Sequence, residues 1–329
     1  MLKIVRLVFL FVITLAFVSC NDKNSSYMPA PTGKYYDLIA IAHEKVWNGP
    51  VGDTLQSIMR EPVPMLNQRE PMYDLYYSTP NEYTSKTLIQ RHRNLIVFNI
   101  SPNIPEVSMT AEYDVYARPQ FIVTVNGPNE AAVAAYMDQH RSELQRVFDI
   151  AERDRITSWA KKNALASLNS EIENKFGIKM YVPKGYKMRN NSIPDFAWMS
   201  MDMPTSSQGI IVYEYPYDPD VDINMPYLVY QRGEFVKNIP GPTEGSYMVT
   251  SLVFPPMFTA YDISGRVWYE LRGFWDVEND YMGGPFVNYT TIDKENNRVI
   301  SIDYYVFSPH NPKRNFMKQL ENMIFNVEI

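Results

Sequence analysis

The chain has 329 residues, of which 45% are hydrophobic and 21% charged, and a net charge of −6 at pH 7. This composition excludes an intrinsically disordered chain and allows one large domain or two ordinary ones. The single cysteine, Cys20, excludes an intramolecular disulfide framework, a zinc ribbon and a Cys-x-x-Cys redox pair, and the acidic balance without a basic run argues against nucleic acid and anionic membrane surfaces as partners.

At the N-terminus, Lys3 and Arg6 precede an apolar run at residues 7–17 that is interrupted only by Thr14. That run is too short for the ~20 residues of a membrane-spanning helix and fits the apolar region of a secretory signal, so residues 1–19 are read as a signal peptide. Val18-Ser19-Cys20 resembles the lipobox of bacterial lipoproteins, with Phe17 where that pattern more often has Leu. The resemblance implies a diacylglyceryl group on the Cys20 sulfur and cleavage before it. More than one acyl chain is needed for stable anchoring, so a lipidated Cys20 holds the protein on a bilayer without a spanning helix. Residues 20–32, rich in Asn, Ser and Pro, read as a flexible tether.

The mature chain begins with strand-like 35–42, followed by turn residues and Asp53 ahead of a helical pattern to Arg60. Extended 72–77, a Pro80-initiated helix through Arg91 and an apolar strand at 94–100 follow, which is the rhythm of an α/β-type layer. Two alternating runs, 107–116 and 120–125, are split by Arg118-Pro119 and either pair or continue across a bend. Residues 129–176 contain neither Pro nor Gly, and Leu144, Val147, Phe148 and Ala151 form a helical stripe. One helix of that length would reach ~70 Å, so a break is expected, with Ser142-Glu143-Leu144-Gln145 as a capping box and Gly177 as the stop.

The remainder reads as β-rich, with strands at 178–182, 196–203, 209–215, 247–253, 257–263, 265–275, 286–292 and 298–307, a helix at 225–238, and a closing amphipathic helix after Pro312. The expected fold is α+β: an N-terminal α/β-type layer over 33–176, joined by long helices to a C-terminal antiparallel sheet over 177–329 with helices on one face.

Four ordered phrases carry a family resemblance: Gly49-Pro50-Val51-Gly52-Asp53-Thr54-Leu55, Ala117-Arg118-Pro119-Gln120, Gly241-Pro242-Thr243-Glu244-Gly245-Ser246-Tyr247-Met248 and Gly283-Gly284-Pro285-Phe286. Together with the lipobox they resemble, over essentially the whole chain, the lipoproteins of Bacteroidota catalogued as domain of unknown function 4837. The resemblance implies a Gram-negative envelope lipoprotein, with the outer membrane as the expected location, and no activity. The Val182-Pro183-Lys184-Gly185-Tyr186 strand end, Phe196-Ala197-Trp198 and the closing helix are similar to the Mog1/PsbP-like sandwich.

Catalytic signatures are absent from the sequence. The four histidines, His43, His92, His140 and His310, form no zinc-hydrolase spacing. Asp218, Asp220 and Asp222 resemble the start of an EF-hand loop, but Ile223 and Val229 stand where its Gly and bidentate Glu belong, so a solvated acidic loop is expected. The same holds for Asp276, Glu278 and Asp280. No Gly-x-Ser-x-Gly elbow or phosphate loop occurs, and no metal, cofactor or catalytic residue is assigned. The candidate ligand or partner loop is the turn carrying Thr243, Glu244 and Ser246. Trp198, Trp268, Trp275 and Tyr304 offer a glycan or peptide platform but in alternating strands read first as core. The expectation is a non-enzymatic, lipid-anchored envelope protein that binds an envelope protein or ligand, the alternative being an envelope hydrolase using Asp, Glu or Ser in a C-terminal pocket.

Overall fold

The structure, a computed structural model, describes residues 28–329; the signal segment, Cys20 and the first part of the expected tether lie outside the described residues. The N-terminal unit runs β1 (Asp37–Ile41), α1 (Glu44–Trp47), α2 (Pro50–Met59), β2 (Asp74–Ser78), α3 (Pro80–Ser85), α4 (Thr87–Gln90), β3 (Asn94–Ile100), β4 (Ser108–Tyr113), β5 (Phe121–Gly127), α5 (Glu130–Gln139) and α6 (Arg141–Lys162). Its sheet has the order β2-β1-β3-β5-β4, parallel except for β4, which pairs antiparallel with β5. The two alternating runs around Arg118-Pro119 therefore pair. Helices cover both faces: Leu55, Val133, Leu144 and Phe148 pack on one side, while Tyr83 and Ile89 pack over Ile41, Leu95 and Ile122 on the other. The strands β1 and β3 are accordingly apolar on both faces, as parallel strands between helices must be.

The 129–176 stretch forms three helices. The first break falls at His140, whose backbone leaves the helical region, and Ser142 sits inside the first turn of α6 with no capping bond. The expected capping box is thus not formed. A capping box does exist at Thr79, which caps α3 reciprocally with Glu82. Ordered contacts also reach the end of the expected tether, where Pro29 O accepts from Arg118 N and Thr32 N donates to Arg91 O.

The C-terminal unit runs α7 (Ala166–Phe176), β6 (Lys187–Asn190), β7 (Phe196–Met203), β8 (Ser206–Pro216), α8 (Met225–Val236), β9 (Tyr247–Ser251), β10 (Met257–Ile263), β11 (Arg266–Glu278), β12 (Gly283–Asp293), β13 (Arg298–Phe307), α9 (Arg314–Glu321) and a 3₁₀ turn at Asn322–Asn326. The sheet is antiparallel, in the order β10-β11-β12-β13-β8-β7-β6, with β9 on the same edge of β11 as β10. The unit boundary falls near residue 164 instead of 176, because Leu168, Ile172 and Phe176 of α7 bury in the C-terminal core. Residues 178–182 make no strand; the segment has one isolated bridge, Lys179 with Glu328, and Pro183 just beyond it bridges Ala164.

The α+β class is as the sequence implies, but the helices cover both faces of this sheet. Alternation on β13 sends Ile300, Ile302, Tyr304 and Val306 toward α7 and α9 and Val299 and Tyr305 toward α8. The α8 face is fastened by an ion pair with no solvent exposure, Arg232 Nε to Asp303 at 2.7 Å, with the guanidinium 3.6 Å from the Phe286 ring centroid. Trp268, Trp275 and Tyr304 are core residues, and Trp198 Nε1 donates to Tyr305 Oη at 2.9 Å, so no exposed aromatic platform forms from this set.

Two glycines of the family phrases are packing contacts. A Cβ on Gly52 would lie 1.8 Å from Trp47 O, where α1 meets α2, and one on Gly284 would lie 2.1 Å from Val306 O. Neither position has room for a side chain.

Candidate functional site

The two units are joined by polar contacts that fix their relation. The Glu70 carboxylate accepts from Lys313 N at 2.7 Å and Arg314 N at 2.9 Å, capping α9 from the other unit. Arg314 returns the contact to Pro71 O at 2.9 Å and Asp74 at 2.7 Å. Asn322 Nδ2 donates to Tyr36 Oη at 3.0 Å, and Asn326 Nδ2 to Thr157 O at 3.0 Å. Carboxylates at helix N-termini and charge-assisted hydrogen bonds are among the stronger polar contacts available to such a seam.

Beside that seam lies a cleft of about 790 Å³, in the size range of small-molecule sites. One wall is a face of α6 formed by Ser142, Gln145, Arg146, Asp149, Ile150 and Arg153, and the facing wall is β10 with Met257, Thr259, Tyr261 and Ile263. The floor holds Tyr36, Glu270, Arg272, Lys318 and Glu321.

Each polar group of the floor has a distinct state. Glu321 accepts from Arg272 at 2.5 Å and pairs with Lys318 at 2.9 Å. Burial opposes its ionisation, but the two cations and their hydrogen bonds prevail and lower its pKa to about 2. Arg272 is disfavoured by burial and favoured more strongly by Glu321 and Glu270, so its pKa lies well above the ordinary value. Lys318 is likewise raised: burial works against its charge, and Glu321 and Asp149 outweigh it. Asp149 differs, because burial raises its pKa and neither Lys318 nor the hydrogen bond from Tyr73 Oη at 2.8 Å reverses the shift. Tyr36 is fully buried with φ +63°, a left-handed conformation that costs a non-glycine residue roughly 1–2 kcal/mol. Its N–H donates to Glu152 at 3.3 Å, and Glu152 also pairs with Arg93 and Arg155, each at 3.1 Å.

The residues singled out from sequence lie elsewhere. In the 241–248 turn, Ser246 Oγ donates to Thr243 O at 2.6 Å and accepts from Thr243 N at 3.2 Å. Its hydroxyl is spent within the turn, Thr243 and Glu244 are exposed, and none of the three lines the cleft. Asp218 caps its own turn by accepting from Asp220 N at 3.0 Å, and Asn224 caps α8 through Tyr227 N at 3.0 Å. Among the described residues no group of three His, Asp or Glu side chains is placed to hold a metal ion, and no helix is long and apolar enough to cross a membrane. His92 is buried, which lowers its pKa, with Nδ1 2.9 Å from Asn94 O. Asp276, Gly283 and Gly284 border a second, apolar recess of about 500 Å³ with Phe254 and Phe274.

Fold and cleft together define a two-unit α+β protein with a ligand-sized site at its seam. Residues 165–326, which make up the C-terminal unit, match the family model described as Domain of unknown function (DUF4837). Residues 31–161 match a second model, Domain of unknown function (DUF8532), so the phrases at Gly49 and Ala117 fall in the span of another family. No curated protein matches the chain. Among solved structures, the Ran-binding protein Mog1p of Saccharomyces cerevisiae is similar at 11% identity and TM-score 0.31, covering 47% of this chain and 92% of its own. LpqN of Mycobacterium tuberculosis, titled as involved in cell envelope biogenesis, is similar at 15% identity and TM-score 0.28, covering 46% and 81%.

Proposed function

We propose that this chain is a lipid-anchored envelope protein, held through Cys20, that binds a ligand in the cleft between its two units without turning it over. The observation that carries the reading is the state of the cleft's ionisable groups. Glu321 and Glu270 are tied to Arg272, and Glu321 also to Lys318. A carboxylate neutralised by two buried cations is a poor base and a poor nucleophile, but a fixed charge array on a rigid floor suits recognition. The hydrolase reading has one observation in its favour. Asp149, raised by burial, and Glu321, lowered by its cations, are two carboxyl groups in one cleft with their pKa values pushed apart.

Two measurements test the proposal. Cys20→Ser is expected to move the protein from the membrane to the soluble envelope fraction, and an unchanged distribution contradicts anchoring. For the cleft, the full chain in detergent is offered envelope-derived peptides and glycans, and bound species are recovered and weighed. Recovery at unchanged mass, lost in Ser142→Trp at the exposed rim, supports binding; cleaved species, with cleavage lost in Asp149→Asn, decide for the hydrolase.

A further inference from the structure

The strand β10 forms one wall of the cleft and is also an open sheet edge. It pairs on one side only, with β11 from Met257↔Arg272 to Ile263↔Arg266. The hairpin closes through Ser264 and Gly265, with φ +56° and +82°, the two-residue turn in which the flanking pair is hydrogen-bonded. Pairs then alternate along the ladder, so the N–H and C=O groups of Phe258, Ala260 and Asp262 point away from β11. The next strand agrees with this phase: Val267 O accepts from Thr291 Oγ1 at 2.7 Å, facing β12 as the alternation requires.

Such an edge is ordinarily blunted by Lys, Pro, a bulge or a covering element. The β10 sequence Met-Phe-Thr-Ala-Tyr-Asp-Ile has no Lys or Pro, the pairing with β11 has no register shift, and Met257, Thr259, Ala260, Tyr261 and Asp262 are exposed. The far edge is treated differently, since β6 has four residues, two of them basic. The edge strand β4 of the other sheet is exposed too, but it lines neither cavity described above.

The chemistry of the occupant follows from the opposite wall. Arg146 and Arg153 of α6 line the cleft one i, i+7 step apart, about 10 Å along the helix. Among the described residues Arg146 has no carboxylate within ion-pair distance, and Arg153 meets only Asp154, at 3.6 Å, with its guanidinium over Phe325. Arg272 and Lys318 are spent on Glu270 and Glu321, and Asp262 accepts from Gly265 N in the turn. Asp149, between them on the same wall, accepts from Tyr73 Oη at 2.8 Å, so Arg146 and Arg153 are the cleft cations not held by a cleft carboxylate, over a length of about three extended residues.

We propose that the cleft takes an extended acidic peptide, which adds to β10 as an eighth strand on its path of the sheet while its acidic side chains meet Arg146 and Arg153. The inference rests on the cleft-binding reading and names the class of its ligand. Main-chain pairing supplies affinity in this mode and side-chain contacts supply selectivity.

The test uses the full chain in detergent and two labelled peptides, Thr-Val-Glu-Val-Glu-Val-Thr and the same sequence with Lys for Glu, read by fluorescence anisotropy. The Glu peptide is expected to bind at least tenfold more tightly, and Arg146→Glu with Arg153→Glu to reverse the preference. Ala260→Pro removes an outward N–H without removing a β10–β11 bond, and is expected to weaken binding at least tenfold at an unchanged melting temperature. Should that variant fold poorly, amide exchange on the unmodified chain replaces it, with Glu-peptide protection expected at Phe258, Ala260 and Asp262. Equal affinity for the two peptides, undiminished binding by a folded Ala260→Pro, absence of that protection, or a chain dimer dissolved by Ala260→Pro would each overturn the proposal. If the peptides fail while an envelope ligand is still lost in Ser142→Trp, the cleft reading stands and the peptide inference alone falls.

Discussion

Glu321→Gln is the substitution whose effect follows most directly from the cleft's charge array. The side chain keeps its shape and one acceptor oxygen, but its charge is lost and an amide NH2 replaces the oxygen that meets either Arg272 at 2.5 Å or Lys318 at 2.9 Å, leaving Glu270 as the carboxylate paired with Arg272. The pKa of Glu321 falls from 4.5 to about 2 on folding, which corresponds to a contribution on the order of 3 kcal/mol at neutral pH. Because the folded pKa is the lower one, that contribution is present above the unfolded value and fades as pH falls from about 5 toward 2. The stability difference between the natural chain and Glu321→Gln should therefore be about 3 kcal/mol at pH 6 and shrink to below about 1 kcal/mol at pH 2, where the folded carboxyl is half protonated. Urea midpoints by near-ultraviolet circular dichroism across that range measure it, because Tyr289 and the tryptophans of the C-terminal core report the unit directly. A difference that stays constant with pH would refute the assignment of Glu321 as the ionised partner of two buried cations.

Other outcomes follow from the same geometry. Glu70→Gln should weaken the α9 cap by about 0.5–2 kcal/mol, seen as faster amide exchange at Lys313 and Arg314, which Glu70 now holds; equal exchange would contradict the seam. Arg232→Ala should cost about 3–5 kcal/mol, since Asp303 would remain fully buried and unpaired, whereas Arg232→Met with Asp303→Leu should recover most of the loss in urea unfolding. Gly284→Ala should lower the melting temperature strongly, as its Cβ would lie 2.1 Å from Val306 O, while Gly245→Ala has open space and only the strain of its φ of +76°; similar losses at both sites would count against the packing account.

The strands 94–100, 196–203 and 298–307 were legible to the residue, because their alternation or apolar runs matched the burial they acquire; 257–263 was legible as well, although the strand is mostly exposed. The segment 178–182 has the same alternation and buries Ile178, Met180 and Val182, yet finds no partner strand; period two reports burial, and pairing depends on what lies alongside. The short β6, Lys-Met-Arg-Asn, has no apolar period to read. Along α6 the buried stripe contains Glu152 and Arg155 among Leu144, Phe148 and Ala151, so its inward face was only partly visible as a hydrophobic pattern.

The cleft was less legible than the fold for a physical reason. Its α6 wall, at 142, 145, 146, 149, 150 and 153, is mostly polar and in isolation resembles the solvated face of any surface helix. Its floor takes Glu270 and Arg272 from one hairpin and Lys318 and Glu321 from the closing helix, and no local spacing connects them. The i, i+3 pair Lys318 and Glu321 was the one local signal. The Thr243 to Ser246 turn drew attention through its glycines, but those residues close the turn on itself.

Amide hydrogen exchange of the full chain, with and without an envelope extract of the cells that make it, tests the cleft most directly. Protection confined to β10 and the cleft face of α6, and abolished by Ser142→Trp, is the predicted result. Protection centred instead on the Thr243 to Ser246 turn or the apolar recess at Phe254, or no protection anywhere, would contradict the assignment of the seam cleft as the binding site.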